Sequence, residues 1–89
     1  MGYDDRRKHY VRVVSSTDVD GRVVPLCIVW DDDTRYEVDR VLGVRHAYSR
    51  RTGAKGLRYS IQVDGRQTYL YYEDPRWFVE AKVRPSYLG

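Results

Sequence analysis

Between Leu57 and Tyr72 the chain alternates in character around one Asp64-Gly65 pair, and nothing else in it constrains the fold as tightly. A two-residue hairpin turn of the I′ kind needs φ > 0 at both central positions, which Asp-Gly supplies at little cost. Such a turn pairs Val63 with Arg66, Ile61 with Thr68, Tyr59 with Leu70 and Leu57 with Tyr72. One face of the hairpin then carries Leu57, Tyr59, Ile61, Val63, Thr68, Leu70 and Tyr72. The other carries Arg58, Ser60, Gln62, Gln67, Tyr69 and Tyr71. Side chains alternate with period two, so a slip of one residue would turn the whole apolar set toward water. The first face belongs in a core, and the second is polar but aromatic.

The rest of the chain has the same β-like composition. Val, Ile, Tyr, Phe, Trp and Thr supply 31 of the 89 residues, against 12 for Ala, Leu, Met and Glu. Branched and aromatic side chains fit a pleated, half-buried surface, and the best helix formers are scarce. Strands are expected at Tyr10 to Ser15, at Val23 to Trp30 and through Tyr36 and Val38 to Val44. Pro25 lacks an N–H, so its place in the second of these requires an edge or a bulge. A straight run from Thr34 to Tyr48 would be unusually long, and a bend near Gly43 resolves it. The reading is an all-β domain, a small antiparallel barrel or roll of five or six strands, SH3-like in kind.

Glu73 to Arg84 supports two readings. Asp74-Pro75 can open a tight turn into a strand with Trp77, Val79, Ala81 and Val83 facing inward. The same pair can cap a short C-terminal helix with Glu80 and Arg84 at i,i+4. Trp-Phe-Val favours the strand. The expected limits are a polar tail over 1–9, one β domain over 10–84 and a tail over 85–89. The string VDGR occurs at Val19–Arg22 and at Val63–Arg66, and two similar hairpin turns explain it more simply than duplication does.

Three stretches carry a resemblance: WDDDTRYEVDRVLGVR (Trp30 to Arg45), GLRYSIQVDGRQTYLYYED (Gly56 to Asp74) and WFVEAK (Trp77 to Lys82). Their pattern, W-x-D-x-x-x-Y-x-V-D-R-V-L followed by R-Y and T-Y-L, resembles a group of short uncharacterised bacterial proteins, mainly Gram-positive. The resemblance spans roughly Tyr10 to Lys82 and implies a compact bacterial domain. It transfers no functional residue. Asp33 stands where the resemblance leads to an expectation of Gly, which leaves the type of the acidic turn open.

Catalytic chemistry finds little footing. The histidines, His9 and His46, lie in a polar N-terminal segment and a basic stretch. Cys27, the single cysteine, falls in the most apolar strand, where a thiol is ordinarily buried and inert. Asp31, Asp32 and Asp33 lack the spacing of a calcium loop and read as a solvated turn. No metal or other cofactor is expected, and no enzyme activity. The longest apolar run, Val23 to Trp30, is too short to span a bilayer, and the first residues lack a signal core. The expected setting is the cytoplasm, without a membrane partner.

Charge carries more information through its distribution than through its net value of +3. Asp18 to Asp39 holds seven acids and two bases, whereas Arg40 to Arg58 holds six bases and no acid. The basic segment includes Arg45, Arg50, Arg51, Lys55 and Arg58, with Gly53 and Gly56 allowing close backbone approach to an anion. Under the hairpin register Arg58 lies opposite Tyr71, and Ser60 opposite Tyr69. Exposed Tyr beside Arg on a small β-domain is a way to hold single-stranded nucleic acid, by stacking plus backbone charge. The plainer account is a solvated basic hairpin loop and cross-strand tyrosine pairs. The expectation is a nucleic-acid binding module using Arg45, Arg50, Arg51, Lys55, Arg58, Tyr69 and Tyr71. The alternative is a protein–protein interaction or self-association module, with a protein partner or homodimer on the aromatic face or a sheet edge.

Overall fold

The computed structural model describes the backbone of residues 6–48 and 55–82. Seven strands are present there: β1 (Arg6–Thr17), β2 (Val23–Val29), β3 (Arg35–Glu37), β4 (Arg40–Tyr48), β5 (Lys55–Val63), β6 (Arg66–Glu73) and β7 (Arg76–Lys82). They form one antiparallel sheet in the order β3-β2-β1-β7-β6-β5-β4. The sheet curls into a half-barrel. Among the described residues no helix is long and apolar enough to cross a membrane.

The β5–β6 hairpin has the register read from the sequence, from Val63↔Arg66 out to Leu57↔Tyr72. Asp64 and Gly65 both take positive φ, 51° and 75°. Asp39 adds a long-range tie, because its carboxylate accepts the Gly65 N–H at 3.2 Å. The strand reading of the C-terminal segment holds over Arg76–Lys82, and the short helix is excluded there. The first VDGR differs from the second. Thr17 pairs with Val23, so residues 18–22 make a longer loop, with Gly21 at φ 87° and the Asp18 N–H bonded to the Arg22 carbonyl at 2.8 Å.

The structure departs from the expected five or six strands in two ways, and the second raises the count to seven. β1 begins at Arg6 instead of Tyr10, with Arg6 to Val11 paired to β7 and Arg12 to Thr17 paired to β2. The expected 34–48 strand divides after Glu37, because successive residues turn to different partners. The Val38 N–H donates to the Leu26 carbonyl at 2.9 Å, and the Asp39 N–H to the Gln62 carbonyl at 2.7 Å. Those two bonds link β2 and β5 across the mouth of the curled sheet. The expected bend lies beside Gly43, as a bulge between Val41 and Gly43 that turns Leu42 outward. A second bulge between Val14 and Ser15 lies opposite Pro25 and Leu26, which accommodates the missing proline donor.

The concave face holds the core: Ile28, Tyr59, Ile61, Leu70 and Trp77. Trp77 packs between Tyr59 and Tyr72, with ring centroids at 5.3 and 4.5 Å. The Tyr59 hydroxyl crosses from β5 to donate to the Val23 carbonyl of β2 at 2.5 Å. No polar or charged residue is buried among those described. With the concave face closed by its own side chains, any binding surface of size must use the convex face or an edge.

Candidate nucleic-acid interface

Cross-strand pairing sets five side chains of the convex face in one row. Arg45 on β4 lies opposite Arg58 on β5, Arg58 opposite Tyr71 on β6, Tyr71 opposite Phe78 on β7, and Phe78 opposite Tyr10 on β1. Adjacent strands are about 4.8 Å apart, so such neighbours touch. Tyr71 and Phe78 stack at 4.9 Å with a 4° interplanar angle, and Tyr10 meets Phe78 edge-on at 5.6 Å and 65°. Phe78 is only 8% exposed although it faces away from the core, because Tyr71, Tyr10 and Lys8 cover it. A small apolar cluster therefore stands on the outside of the sheet.

Cations sit over these rings. The Arg58 guanidinium is 4.7 Å from the Tyr69 centroid, Lys8 Nζ is 4.9 Å from that of Phe78, and the Arg76 guanidinium is 4.3 Å from that of Tyr10. Cation and quadrupole attract in this geometry, and each pair holds its ring in place. Two of the rings are open to solvent, Tyr69 at 43% and Tyr10 at 39% exposure. Among the described residues Arg45 and Arg58 make no ion pair, so their charge is available to an incoming anion.

The carboxylates of this face are engaged. Glu73 accepts from Lys8 Nζ at 3.0 Å and from the Tyr10 hydroxyl at 2.9 Å, and Arg76 approaches at 3.7 Å. The Lys8 bond first, and then the Tyr10 bond, hold the Glu73 carboxyl below its usual range. Glu80 accepts from the Tyr71 hydroxyl at 2.9 Å. Burial first, then that bond to Glu80, push the Tyr71 hydroxyl up, while Arg58 opposes the rise. Tyr71 therefore remains a neutral phenol.

The structure brings Arg45, Arg58, Tyr69 and Tyr71 onto one surface. Tyr71 is half-buried against Phe78, which leaves Tyr69 as the more open ring. Lys55 opens β5 opposite Tyr48. Arg50 and Arg51 lie outside the described residues. Sequence reasoning missed Lys8, Tyr10, Arg76 and Phe78, which join the site only through the β1–β7 pairing. The alternation of Lys8, Tyr10 and Arg12 at every second position was the available signal.

Two carboxylates of the acidic turn have bonded partners, and the third lies beside a histidine. Asp31 Oδ2 lies 3.0 Å from Nε2 of His9, whose ring stacks on Trp30 at 4.8 Å. Asp32 accepts the Thr34 N–H at 3.0 Å, and the Thr34 side chain first, then this N–H, lower its pKa, while Asp33 pairs with Arg12. Asp33 takes φ 67°, the left-handed conformation that a glycine adopts freely. Cys27 is buried, and burial followed by Glu37 pushes its thiol up, against thiolate formation. No group of three or more metal-ligating side chains occurs among the described residues.

One further surface stands apart. β1 changes partner between Val11 and Arg12, so among the described residues its Arg12–Thr17 edge has no neighbour on the β7 side. A groove of about 570 Å³ opens along it, lined by Val13, Val23, Tyr72, Trp77, Arg12 and Arg76 among others. Comparison with protein-family models, curated proteins and solved structures found no significant match.

Proposed function

We propose that this chain is a non-catalytic cytoplasmic module that binds single-stranded nucleic acid on the convex face of an SH3-like half-barrel. The observation that carries the reading is the Arg58–Tyr69 pair. It couples an exposed ring to a guanidinium that has no carboxylate partner among the described residues, in line with Arg45 and Tyr71. Rings accept the faces of any base, and the cations neutralise phosphates without reading sequence. In the sequence Arg50 and Arg51, between β4 and β5, and Lys55, the first residue of β5, add to the same charge. Cation-capped rings suit splayed bases better than a closed duplex, whose π-faces are already stacked.

Neutralising about four phosphates of a single strand gives a slope of log K on log salt near −3. Affinity for a labelled oligonucleotide then falls about 50-fold between 50 and 200 mM salt. Arg45→Ala, which removes no ion pair among the described residues, flattens the slope by about 0.7. Tyr69→Ala instead costs about 1–3 kcal/mol at unchanged slope, since stacking releases no counterions. No binding to single strands at 50 mM salt overturns the reading.

A second reading has its own observation, the unpaired Arg12–Thr17 edge beside the groove. Such an edge takes an extended peptide by strand addition. A protein partner that stays bound after nuclease treatment and at high salt supports this reading against the first.

A further inference from the structure

The aromatic row continues past the hairpin. Tyr10 on β1 repeats the arrangement of Tyr69 on β6. Each is an exposed tyrosine with a guanidinium over its ring, Arg76 at 4.3 Å and Arg58 at 4.7 Å. Tyr10 also meets Phe78 at 5.6 Å and 65°, and its hydroxyl donates to Glu73. Between the two tyrosines lies the stacked Tyr71–Phe78 pair with Lys8 above it. We infer that Tyr10 is a second stacking platform of the nucleic-acid site, and that the bound single strand crosses the sheet obliquely from β6 to β1. The inference rests on the binding reading above and gives the site a length and a direction.

The spacing follows from the register. Tyr10 is two strands from Tyr71, about 10 Å, and Tyr69 is two residues further along β6, about 7 Å, so the two backbone anchors stand about 12 Å apart. Stacked neighbouring bases are separated by only about 3.4 Å along a strand. Adjacent stacked bases therefore cannot serve both rings, and at least one nucleotide lies between them, over Tyr71 and Lys8. Charge along this path is graded. Among the described residues Arg45 and Arg58 make no ion pair at the β4–β5 end, whereas Lys8 and Arg76 share Glu73 at the β1 end. Phosphates are held mainly at the first end, and Tyr10 contributes by stacking.

The experiment is a titration of labelled oligothymidines of two to eight nucleotides at 50 mM salt. The proteins are the native chain, Tyr10→Ala, Tyr10→Phe and Tyr69→Ala, each checked by thermal melting. Native affinity is expected to climb steeply through the third nucleotide. Tyr10→Ala should lose about fivefold or more on three nucleotides and longer, with dinucleotide binding and the salt slope unchanged. Tyr10→Phe, which keeps the ring and loses only the Glu73 bond, should bind like the native chain at every length. Should Tyr10→Ala fail to fold, oligothymidines with one 4-thiothymidine decide on the native chain. Tyr10 and Tyr69 should crosslink to nucleotides with at least one between them. If Tyr69→Ala weakens binding while Tyr10→Ala does not, or both tyrosines crosslink to one nucleotide, the second platform is wrong and the binding reading survives. If no length binds the native chain, both fall together.

Discussion

The two faces of this sheet use the same residue type for opposite ends. On the concave face Tyr59 is enclosed, and its hydroxyl crosses the half-barrel to the Val23 carbonyl. On the convex face Tyr69 and Tyr10 stand in solvent under guanidinium groups, and the Tyr10 hydroxyl goes to a carboxylate at the surface. Strand, composition and propensity are common to both faces, so none of them separates core from site. Parity along the strand does, together with what each face meets across the sheet. Tyrosine suits both roles because its body is apolar and its tip is polar.

The largest expected effect tests that separation directly. Leu70 is 0% exposed and its neighbour Tyr69 is 43% exposed. Leu70→Ala should lower the unfolding free energy by about 2–5 kcal/mol, through lost transfer energy and the cavity left behind. Tyr69→Ala should stay within about 0.5 kcal/mol of the native chain, as surface changes do. Urea unfolding at constant m-value measures both. Comparable losses at the two positions would mean that the convex face is also core, and would remove the surface on which binding depends.

A smaller pair isolates the hydroxyls. Tyr59→Phe strands the Val23 carbonyl where water has poor access, at an expected cost of about 1–2 kcal/mol. Tyr71→Phe removes one donor from the Glu80 carboxylate, which lies on the exposed side of the sheet, and should cost under about 1 kcal/mol. Equal costs would show that the convex cluster is held by its hydrogen bonds as firmly as the core is.

How far each face was legible in the sequence follows from the range of the interactions that build it. The β5–β6 hairpin is local. Asp64-Gly65 dictates the turn, the turn dictates register, and register places Arg58 beside Tyr71 and Ser60 beside Tyr69. The other half of the convex face is not local. Tyr10 reaches Phe78 only because β1 pairs with β7 from the far end of the chain. Arg6, Arg7, Lys8 and His9 bring no apolar alternation to mark that segment as a strand. The division between β3 and β4 was equally hidden, since Arg35 to Tyr48 is strand-like throughout and only the backbone bonds of Val38 and Asp39 part it. Gly43 did mark the bulge, because a residue without Cβ weakens a strand where it bends.

The smallest effect concerns pH, and the two faces should differ in kind. Glu73 ties Lys8, Tyr10 and Arg76 together on the convex face, and its carboxyl is held below the ordinary value of 4.5. A group whose folded pKa is depressed contributes stability above its unfolded pKa and loses it as pH falls through the folded one. Glu73→Gln should therefore be less stable than the native chain at pH 7, by under about 1 kcal/mol because the group is partly solvated. That gap should close as pH drops below 4.5. Asp32 titrates low in both proteins and cancels in the difference. The concave face buries no polar or charged side chain among the described residues, so the deficit of Leu70→Ala should not change over the same range. Chemical denaturation of the three proteins from pH 7 down to pH 3 reads both trends. A Glu73→Gln gap that persists at pH 3 would show that its effect is packing, with Lys8 and Tyr10 held by Phe78 alone.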